Sequence, residues 1–316
     1  MGDHVIEIDG LVRRFGDVVA VDGLNLAVER GEVYGFLGPN GAGKSTTVRV
    51  LTTLLSPTAG TARVGGLDVV ADAVKVRLRI GLALQEASLD EKQTGREILD
   101  LQARLYGLRG ESLRRRLADV MALADLGDAI DRLVGTYSGG MRRRLDLAAA
   151  LVHDPDILFL DEPTTGLDPV SRTAVWGEVQ RLRGRGATVF LTTQYLEEAD
   201  VLSDRVGIID DGKLVVEGPP AELKHRVGRD LVVVELGGDP AGAAEAVSGL
   251  PGVDDVRLTD HSLVVATANG ASLVGPVAVR LAEKGLETAS LTVRTPTLDD
   301  VFLEATGHRL RGEEER

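Results

Sequence analysis

The sequence contains no cysteine, so it can form no disulfide, no thiolate zinc site and no thiol nucleophile. This absence excludes several classes of enzyme and argues against a redox function. Hydrophobic residues make up 43% and charged residues 27% of the 316 residues, which is typical of a globular protein. The length is sufficient for one large domain and a smaller one.

Long hydrophobic runs are also missing. Apolar stretches such as residues 157–160 and 189–191 are far shorter than the roughly 18 residues that cross a bilayer. The first six residues do not combine a basic segment with an apolar one, so no secretory signal is visible. We therefore expect a cytoplasmic chain that does not itself span a membrane.

Basic charge is in short supply. Lysine and arginine number 36 against 49 acidic residues, which gives a formal net charge of −13. Residues 229–316 hold 8 basic and 15 acidic groups, so over half of the excess lies in the last quarter of the chain. Nucleic acids and anionic lipids select basic surfaces. We expect no nucleic-acid partner, and we expect the C-terminal part to stay away from the membrane surface.

Residues 1–228 alternate apolar strands, glycine-rich turns and amphipathic segments, which predicts an α/β domain with a mostly parallel sheet. Within it, residues 90–151 show helical periodicity without strands and are interpreted as a helical subdomain. A buried strand at 33–37 runs into a glycine-rich loop and a helix at 44–55. Further strands are predicted at 157–160, 188–192 and 205–209, with a hairpin turn at 210–213.

Residues 229–306 are interpreted as a small α+β module. The pattern reads β-α-β-β-α-β, which is typical of a ferredoxin-like arrangement. The predicted strands lie at 231–236, 253–258, 262–267 and 287–293, and the helices at 240–249, 272–284 and 298–305. Residues 307–316 form a charged tail that we expect to be disordered.

A phosphate-binding loop is the first chemical motif. The pattern G-x-x-x-x-G-K-[ST] lies between a predicted strand and a predicted helix, as this motif requires. Backbone N–H groups of such a loop face phosphates, the lysine neutralises the outer phosphates and the serine offers an oxygen to Mg²⁺. The motif consists of Gly38, Pro39, Asn40, Gly41, Ala42, Gly43, Lys44 and Ser45.

A second motif is an apolar strand that ends in two carboxylates, Asp161 and Glu162. This placement lets Asp161 hold the shell of a metal ion and lets Glu162 face an attacking water. Paired acids at a strand end are common in proteins. The phosphate-binding loop in the same domain favours the catalytic interpretation over a purely structural one.

Ser138, Gly139 and Gly140 open a predicted helix roughly 20 residues before the acidic strand. A helix N-terminus with little side chain is a place where an anion can bind, although a turn with a helix cap is the plainer alternative. The stretch resembles the signature of ATP-binding-cassette (ABC) proteins, usually written Leu-Ser-Gly-Gly-Gln. Tyr137 and Met141 depart from that pattern at its two ends.

The resemblance to the ABC family covers the first domain. It implies a P-loop NTPase fold with a RecA-like core, an antiparallel β subdomain and a helical subdomain, and it implies ATP and Mg²⁺ as ligands. It places Gln85 in the Q-loop, near both metal and membrane partner, and Asp168 in the D-loop. It adds Thr46 to the nucleotide contacts and assigns Phe15 to stacking on adenine, for which a core aromatic is the alternative.

One departure from the family concerns the switch position, where this chain has Gln194 in place of the usual histidine. In the family this residue hydrogen-bonds the terminal phosphate. An amide can donate such a bond, but it carries no titratable proton. We expect hydrolysis to persist with Glu162 as the principal base.

The glutamine at the switch position and residues 296–302 resemble bacterial exporters of the daunorubicin and doxorubicin resistance type. The resemblance implies a homodimer in which each ATP is closed by the signature of the other copy. It also implies that a separate transmembrane permease subunit exports a drug. This chain would then be cytoplasmic and bound peripherally at the inner face of the cell membrane. Export substrate, permease and the role of the C-terminal module stay open.

Two other functions are possible for such a cassette. A soluble regulator without a membrane partner is one, but those proteins usually carry two cassettes in one chain. A chromosome-maintenance ATPase is the other, but the roughly 95 residues between Lys44 and Ser138 leave no room for its long coiled coil.

Two arginine runs, 114–116 and 142–144, are interpreted as solvated helix faces, although Arg142 is a candidate for a contact with a partner's nucleotide.

Overall fold

The computed structural model describes residues 3–85, 89–237, 241–259 and 262–307. The chain forms two compact units that divide between Pro220 and Ala221, and each is described by itself. The first residue of the helix predicted at 240–249 and the tail from residue 308 onward lie outside the described residues. Within the described part, no helix is both long enough and apolar enough to cross a membrane.

The strands of the larger unit form two sheets. In chain order they are β1 (His4–Phe15), β2 (Val18–Glu29), β3 (Val33–Leu37), β4 (Ala59–Val64), β5 (Leu67–Asp68), β6 (Ile80–Ala83), β7 (Ile157–Asp161), β8 (Thr188–Thr193), β9 (Arg205–Asp210) and β10 (Lys213–Gly218). One sheet has the order β2-β1-β4-β5 and the other the order β10-β9-β3-β8-β7-β6.

The six-stranded sheet is parallel except for β10, which pairs with β9 through a hairpin. All residues of β3, β7 and β8 are buried, because a parallel sheet is covered on both faces. Phe190 lies at the centre of this core, with its ring centroid 5.5 Å from those of Tyr34 and Phe36. The predicted mostly parallel sheet and the hairpin at 210–213 are confirmed.

The helices of the larger unit are α1 (Lys44–Leu51), α2 (Ala73–Arg77), α3 (Gly95–Leu105), α4 (Gly110–Ala124), α5 (Gly139–Ala150), α6 (Pro169–Gly184) and α7 (Leu196–Leu202). The helix predicted at 44–55 therefore ends four residues early. Thr53 adopts a left-handed φ of 66° just beyond the last turn, and the Thr52 hydroxyl donates back to the carbonyl of Val48 at 2.8 Å.

Helices α3, α4 and α5 build the segment that was predicted to be helical. A capping box between Thr94 and Glu97 begins α3, which fixes the start of this segment. The three helices share a core separate from that of the sheets, and its buried members include Leu99, Val120 and Leu145. The regular elements among the described residues from 90 to 151 are all helices or 3₁₀ turns.

The second unit begins within the first turn of α8 (Pro220–Val227), most of which belongs to it. Its elements are β11 (Asp230–Leu236), α9 (Ala243–Ser248), β12 (Val253–Leu258), β13 (Ser262–Thr267), α10 (Gly270–Glu283), β14 (Thr288–Arg294) and α11 (Leu298–Thr306). The strands form an antiparallel sheet of order β12-β13-β11-β14. Alternate strand residues such as Val232, Val234 and Val265 form the core of this unit together with Val277 of α10. The predicted ferredoxin-like order of elements is confirmed.

Candidate functional site

The phosphate-binding loop lies between β3 and α1, at the carboxyl end of the six-stranded sheet. Because β3 pairs with β8 and β9 on its two sides, the loop emerges at the centre of that edge. Gly43 has a φ of 107°, and a Cβ there would lie 2.4 Å from the carbonyl oxygen of Ala20. Glycine is therefore required for the loop to wrap this closely.

Lys44 is 4% exposed, so its charge needs compensation within the protein. Its Nζ donates to the carbonyl oxygens of Gly38 and Pro39 at 2.8 and 2.9 Å, and it lies 3.2 Å from Oε1 of Glu162. Burial lowers the pKa of Lys44, while the Glu162 carboxylate acts in the opposite direction. The lysine and the second predicted carboxylate thus form one buried ion pair.

Asp161, the last residue of β7, faces the start of α1. Its Oδ1 accepts a hydrogen bond from the Ser45 hydroxyl at 3.1 Å and from the Thr192 hydroxyl at 2.6 Å. A carboxylate beside a hydroxyl is the hard oxygen donor set that Mg²⁺ prefers, so these residues fit the metal. In the described part of the chain, no group of three or more histidine and carboxylate side chains is arranged so that it could hold a metal ion by itself.

Glu162 occupies a left-handed conformation, with φ 46°, that is uncommon for a residue with a side chain. Its backbone N–H donates to the hydroxyl and the carbonyl of Thr192 at 3.0 and 3.1 Å. Its Oε2 accepts from the Gln85 amide at 3.0 Å and from the Thr165 hydroxyl at 3.3 Å. The structure thus brings Gln85, Lys44 and both predicted carboxylates together.

Gln194 follows β8, next to the strand that ends in the carboxylates, since Thr192 pairs with Asp161. Its side chain is half-buried. In the described part of the chain, no hydrogen bond joins the Gln194 amide to Glu162. The structure therefore brings the switch residue to the same sheet edge without bonding it to the predicted base.

Ser138 is the N-cap of α5, and its hydroxyl accepts from the N–H of Met141 at 3.3 Å. Gly140 packs closely, because a Cβ there would lie 2.3 Å from the hydroxyl oxygen of Ser171. That hydroxyl donates to Asp168 at 2.6 Å.

The Asp168 carboxylate also caps α6 by accepting from the N–H groups of Val170 and Ser171, both at 3.0 Å. The Ser171 hydroxyl and these amides lower the pKa of Asp168. The predicted signature and D-loop are thus neighbours. No hydrogen bond among the described residues joins Ser138, Gly139 or Gly140 to the phosphate-binding loop.

Phe15 ends β1 and is 44% exposed. The guanidinium carbon of Arg13 lies 4.5 Å from the centre of its ring, a cation–π geometry. The alternative interpretation of Phe15 as a core aromatic is therefore wrong. Its exposed ring is therefore accessible to a flat ligand.

The interpretation of residues 142–144 as a solvated face is wrong for Arg143, which is 7% exposed. Its guanidinium donates to the carbonyl oxygens of Leu84, Asp161 and Pro163 and to the carboxylate of Asp146. Burial lowers the pKa of Arg143 and raises that of Asp146 to about 6. The one available signal was the acid three residues after the arginine, a spacing at which helical side chains meet.

Arg116 also departs from the predicted solvated face, because it donates to the carbonyl oxygens of Leu151 and Val152.

Glu198 is a buried residue of this region that the sequence did not single out. It is 1% exposed and accepts from the Thr164 hydroxyl at 2.8 Å and the Trp176 indole at 3.0 Å, and burial raises its pKa. Glu198 links the helix after Gln194 to the segment after Glu162.

Two family models match this chain. The ABC transporter model matches residues 21–165, and the model described as the C-terminal domain of DrrA1-3-like ATP-binding proteins matches residues 218–306.

Known relatives match nearly the whole length. The chain is 50% identical to the daunorubicin resistance ATP-binding protein DrrA3 of Streptomyces coeruleorubidus, over 99% of both chains. It is 48% identical to the daunorubicin/doxorubicin resistance ATP-binding protein DrrA of Streptomyces peucetius, over 96% of this chain and 93% of that one. It is 37% identical to the Nod factor export ATP-binding protein I of Ralstonia nicotianae, over 97% and 95%.

Solved structures share the fold of the larger unit. An ATP-binding subunit of an ABC transporter superimposes with a TM-score of 0.65 at 26% identity, over 70% of this chain and 92% of that one. The cbiO1 protein of Clostridium perfringens, part of an ABC transporter complex, has the same TM-score at 25% identity, over 70% and 90%. The sequence, the motif geometry and these matches agree: the chain belongs to the ABC transporter family, as an ATP-binding protein with a DrrA-like C-terminal domain.

Proposed function

We propose that this chain hydrolyses ATP and that the hydrolysis powers export through a separate membrane subunit. The observation that carries the proposal is the buried ion pair between Lys44 and Glu162 beside the oxygen cluster of Asp161 and Ser45. Buried charges that do not serve packing are typical of catalytic sites. Here they lie directly at a phosphate-binding loop.

In this proposal the loop residues bind the nucleotide. Backbone N–H groups of the loop and of the first turn of α1, which includes Thr46, face the phosphates, and Lys44 neutralises their charge. Ser45, Asp161 and Gln85 hold Mg²⁺, which when bound offsets the negative charge of the phosphates. The exposed Phe15 stacks on adenine. The loop residues assigned to phosphate are Gly38, Pro39, Asn40, Gly41, Ala42, Gly43, Lys44 and Ser45.

Glu162 is the proposed general base. Its carboxylate holds the attacking water and takes a proton from it, and the bond from its backbone to Thr192 keeps the carboxylate at the edge of the sheet. Gln85 donates to the same carboxylate and so limits its rotation. Gln194 completes the proposed catalytic set by donating from its amide to the terminal phosphate.

Two copies of the chain are proposed to complete each site. Ser138 and Gly139 are exposed at the N-terminus of α5, where backbone N–H groups attract an anion. Within the described residues they make no hydrogen bond to the loop of their own chain. A head-to-tail homodimer places the Ser138, Gly139 and Gly140 of one copy, with Asp168 nearby, on the nucleotide of the other. One phosphate loop and one signature per chain then give two equivalent sites.

The transported substrate is proposed from the relatives. Those with 43–50% identity over nearly the full length are named for resistance to daunorubicin or doxorubicin, so we infer that a hydrophobic drug or antibiotic is exported. The chain would associate peripherally with the inner face of the membrane, through the permease alone. This arrangement agrees with the net charge of −13, which disfavours direct binding to anionic lipid.

Replacement of the base tests the chemistry. Glu162→Gln keeps the size of the side chain but removes its basicity, so we expect kcat for ATP to fall by about 10²-fold or more while ATP binding persists and a closed dimer accumulates. Steady-state ATPase rates, equilibrium binding of a fluorescent ATP analogue and size-exclusion chromatography measure the three effects. The exposed Glu7→Gln is the matched control. Turnover at the wild-type rate in Glu162→Gln would remove Glu162 from its proposed role.

The switch position gives a second test. In Gln194→His an imidazole can still donate to a phosphate oxygen, so we expect kcat to stay equal or to rise. Because the imidazole titrates, kcat should also change with pH around its ordinary pKa of about 6.5. Gln194→Ala, which cannot donate, should lower kcat. Rates measured from pH 5.5 to 8.5 for the three proteins decide this. Complete loss of activity in Gln194→His would mean that the site is built around the amide.

The role in transport is tested by co-expressing this chain with each membrane protein that a neighbouring gene encodes. Co-expression should yield a complex that purifies together and whose ATPase rate rises when an anthracycline drug is added. A Lys44→Ala variant is the control, since it should co-purify without stimulated turnover. Solitary hydrolysis with no co-purification and no drug response would instead favour a soluble regulator.

A further inference from the structure

Arg143 connects three segments that the proposed mechanism uses. It lies on α5, five residues after the cap Ser138, and points into the unit with 7% exposure. Its Nε donates to the carbonyl oxygen of Pro163 at 2.8 Å, and its Nη2 to that of Asp161 at 3.3 Å. Its Nη1 donates to the carbonyl oxygen of Leu84. One side chain thus bonds the end of β6, the end of β7 and the signature helix.

The bonded carbonyls flank the residues proposed to act on ATP. Asp161 and Pro163 lie on either side of Glu162, and Leu84 directly precedes Gln85. The two side chains so placed meet, because the Gln85 amide donates to Glu162 at 3.0 Å. A rigid fork of five donors can satisfy three carbonyls at once, whereas a lysine ammonium cannot reproduce that geometry.

The backbone at Glu162 needs such support. Its left-handed φ of 46° is unfavourable for a residue with a side chain, and it persists only where neighbours over-determine it. Thr192 holds the N–H of Glu162 from β8, and Arg143 holds the carbonyls before and after it from α5. Without the guanidinium, the restraint on the carbonyls before and after Glu162 is lost.

Asp146 supplies the counter-charge for this buried cation. Its carboxylate lies 3.1 Å from Nη1 of Arg143, one helical turn along α5, and is itself nearly buried. The same nitrogen donates to Leu84, so the carboxylate also directs the guanidinium toward the segment that carries Gln85. A buried cation is tolerated only with this kind of pairing.

We propose that Arg143 is a positioning residue for ATP hydrolysis: through the carbonyls of Leu84, Asp161 and Pro163 it sets Gln85 and Glu162 relative to each other. The inference rests on the proposed function, since it concerns the same site. The proposal predicts that ATP hydrolysis and ATP binding respond differently to the loss of Arg143. Arg143 makes no hydrogen bond to the phosphate-binding loop among the described residues, so its loss should slow hydrolysis and leave ATP binding intact.

Two other arginines of the helical segment provide matched controls. Arg104 pairs with Asp100 at 2.6 Å and Arg144 with Asp125 at 3.4 Å, and in the described part of the chain neither guanidinium bonds the segments that carry Glu162 and Gln85. Arg143→Lys, Arg104→Lys and Arg144→Lys therefore make the same chemical change at three positions. Only the first disturbs the carbonyls around Glu162 and Gln85.

The experiment measures kcat and KM for ATP, the Kd of a fluorescent ATP analogue and the thermal midpoint for the full-length chain and the three variants. We expect Arg143→Lys to lower kcat about tenfold to a hundredfold, as small misplacements of catalytic groups do, with KM and Kd within about threefold of wild type. The two controls should stay within about twofold in every quantity. Equal kcat in all three variants, or a parallel loss of ATP binding in Arg143→Lys, would overturn the proposal.

Asp146→Asn keeps the proposal testable if Arg143→Lys does not fold. It leaves an oxygen to accept from the guanidinium but removes the charge, so kcat should fall at least about threefold at unchanged Kd. An unchanged kcat would contradict the proposal.

Failure of the proposed ATPase function gives a different result from failure of the role of Arg143. A wild-type chain that binds ATP without turning it over would refute hydrolysis itself, whereas an active wild type with an equally active Arg143→Lys refutes only the role of Arg143.

Discussion

The structure of the larger unit depends on one buried group of charges. Lys44 and Glu162 are both nearly inaccessible to water, and burying either charge alone would cost several kcal/mol. They are paired because β3 and β7 are parallel strands of one sheet, whose carboxyl ends meet at the same edge. The glycine-rich loop brings the lysine to that edge, and the left-handed turn at Glu162 brings the carboxylate to the lysine. Thr192 on the intervening β8 then holds both acids through one hydroxyl.

Much of this arrangement is visible in the sequence because it is local. A strand, a glycine-rich loop and a helix in succession are encoded within about a dozen residues, so β3, the loop and the start of α1 were predicted correctly, as was the order of elements in the second unit. The meeting of Asp161 with Ser45 follows from strand order, which the family resemblance supplied. The burial of Arg143 and Glu198 was not predictable in this way. Both lie among charged neighbours on short helices, and only the packing of α5 and α7 against the sheet distinguishes them from Arg142 and Glu197. The boundary at residue 228 and the roles of the site residues stay predictions.

The same chain also links its proposed catalytic carboxylate to its own signature. Gly140 contacts Ser171, whose hydroxyl donates to Asp168, and Arg143 on the same helix bonds the carbonyls around Glu162. A partner's nucleotide bound at Ser138 would therefore contact a helix that is hydrogen-bonded to the segment proposed to act in hydrolysis. In the proposed dimer, the N-terminal half of α5 therefore gives a physical route by which the two sites can affect each other.

The central claim is that each chain supplies half of two sites, and the absence of native cysteine makes a direct measurement possible. One chain would carry Asn40→Cys in the phosphate-binding loop and another Ser138→Cys in the signature, both exposed positions, each combined with Glu162→Gln to slow hydrolysis. Mixed under mild oxidation, the two should form a disulfide-linked dimer that requires ATP, and neither should do so alone. A mixture that yields no linked dimer with ATP, or the same amount without it, would contradict the account.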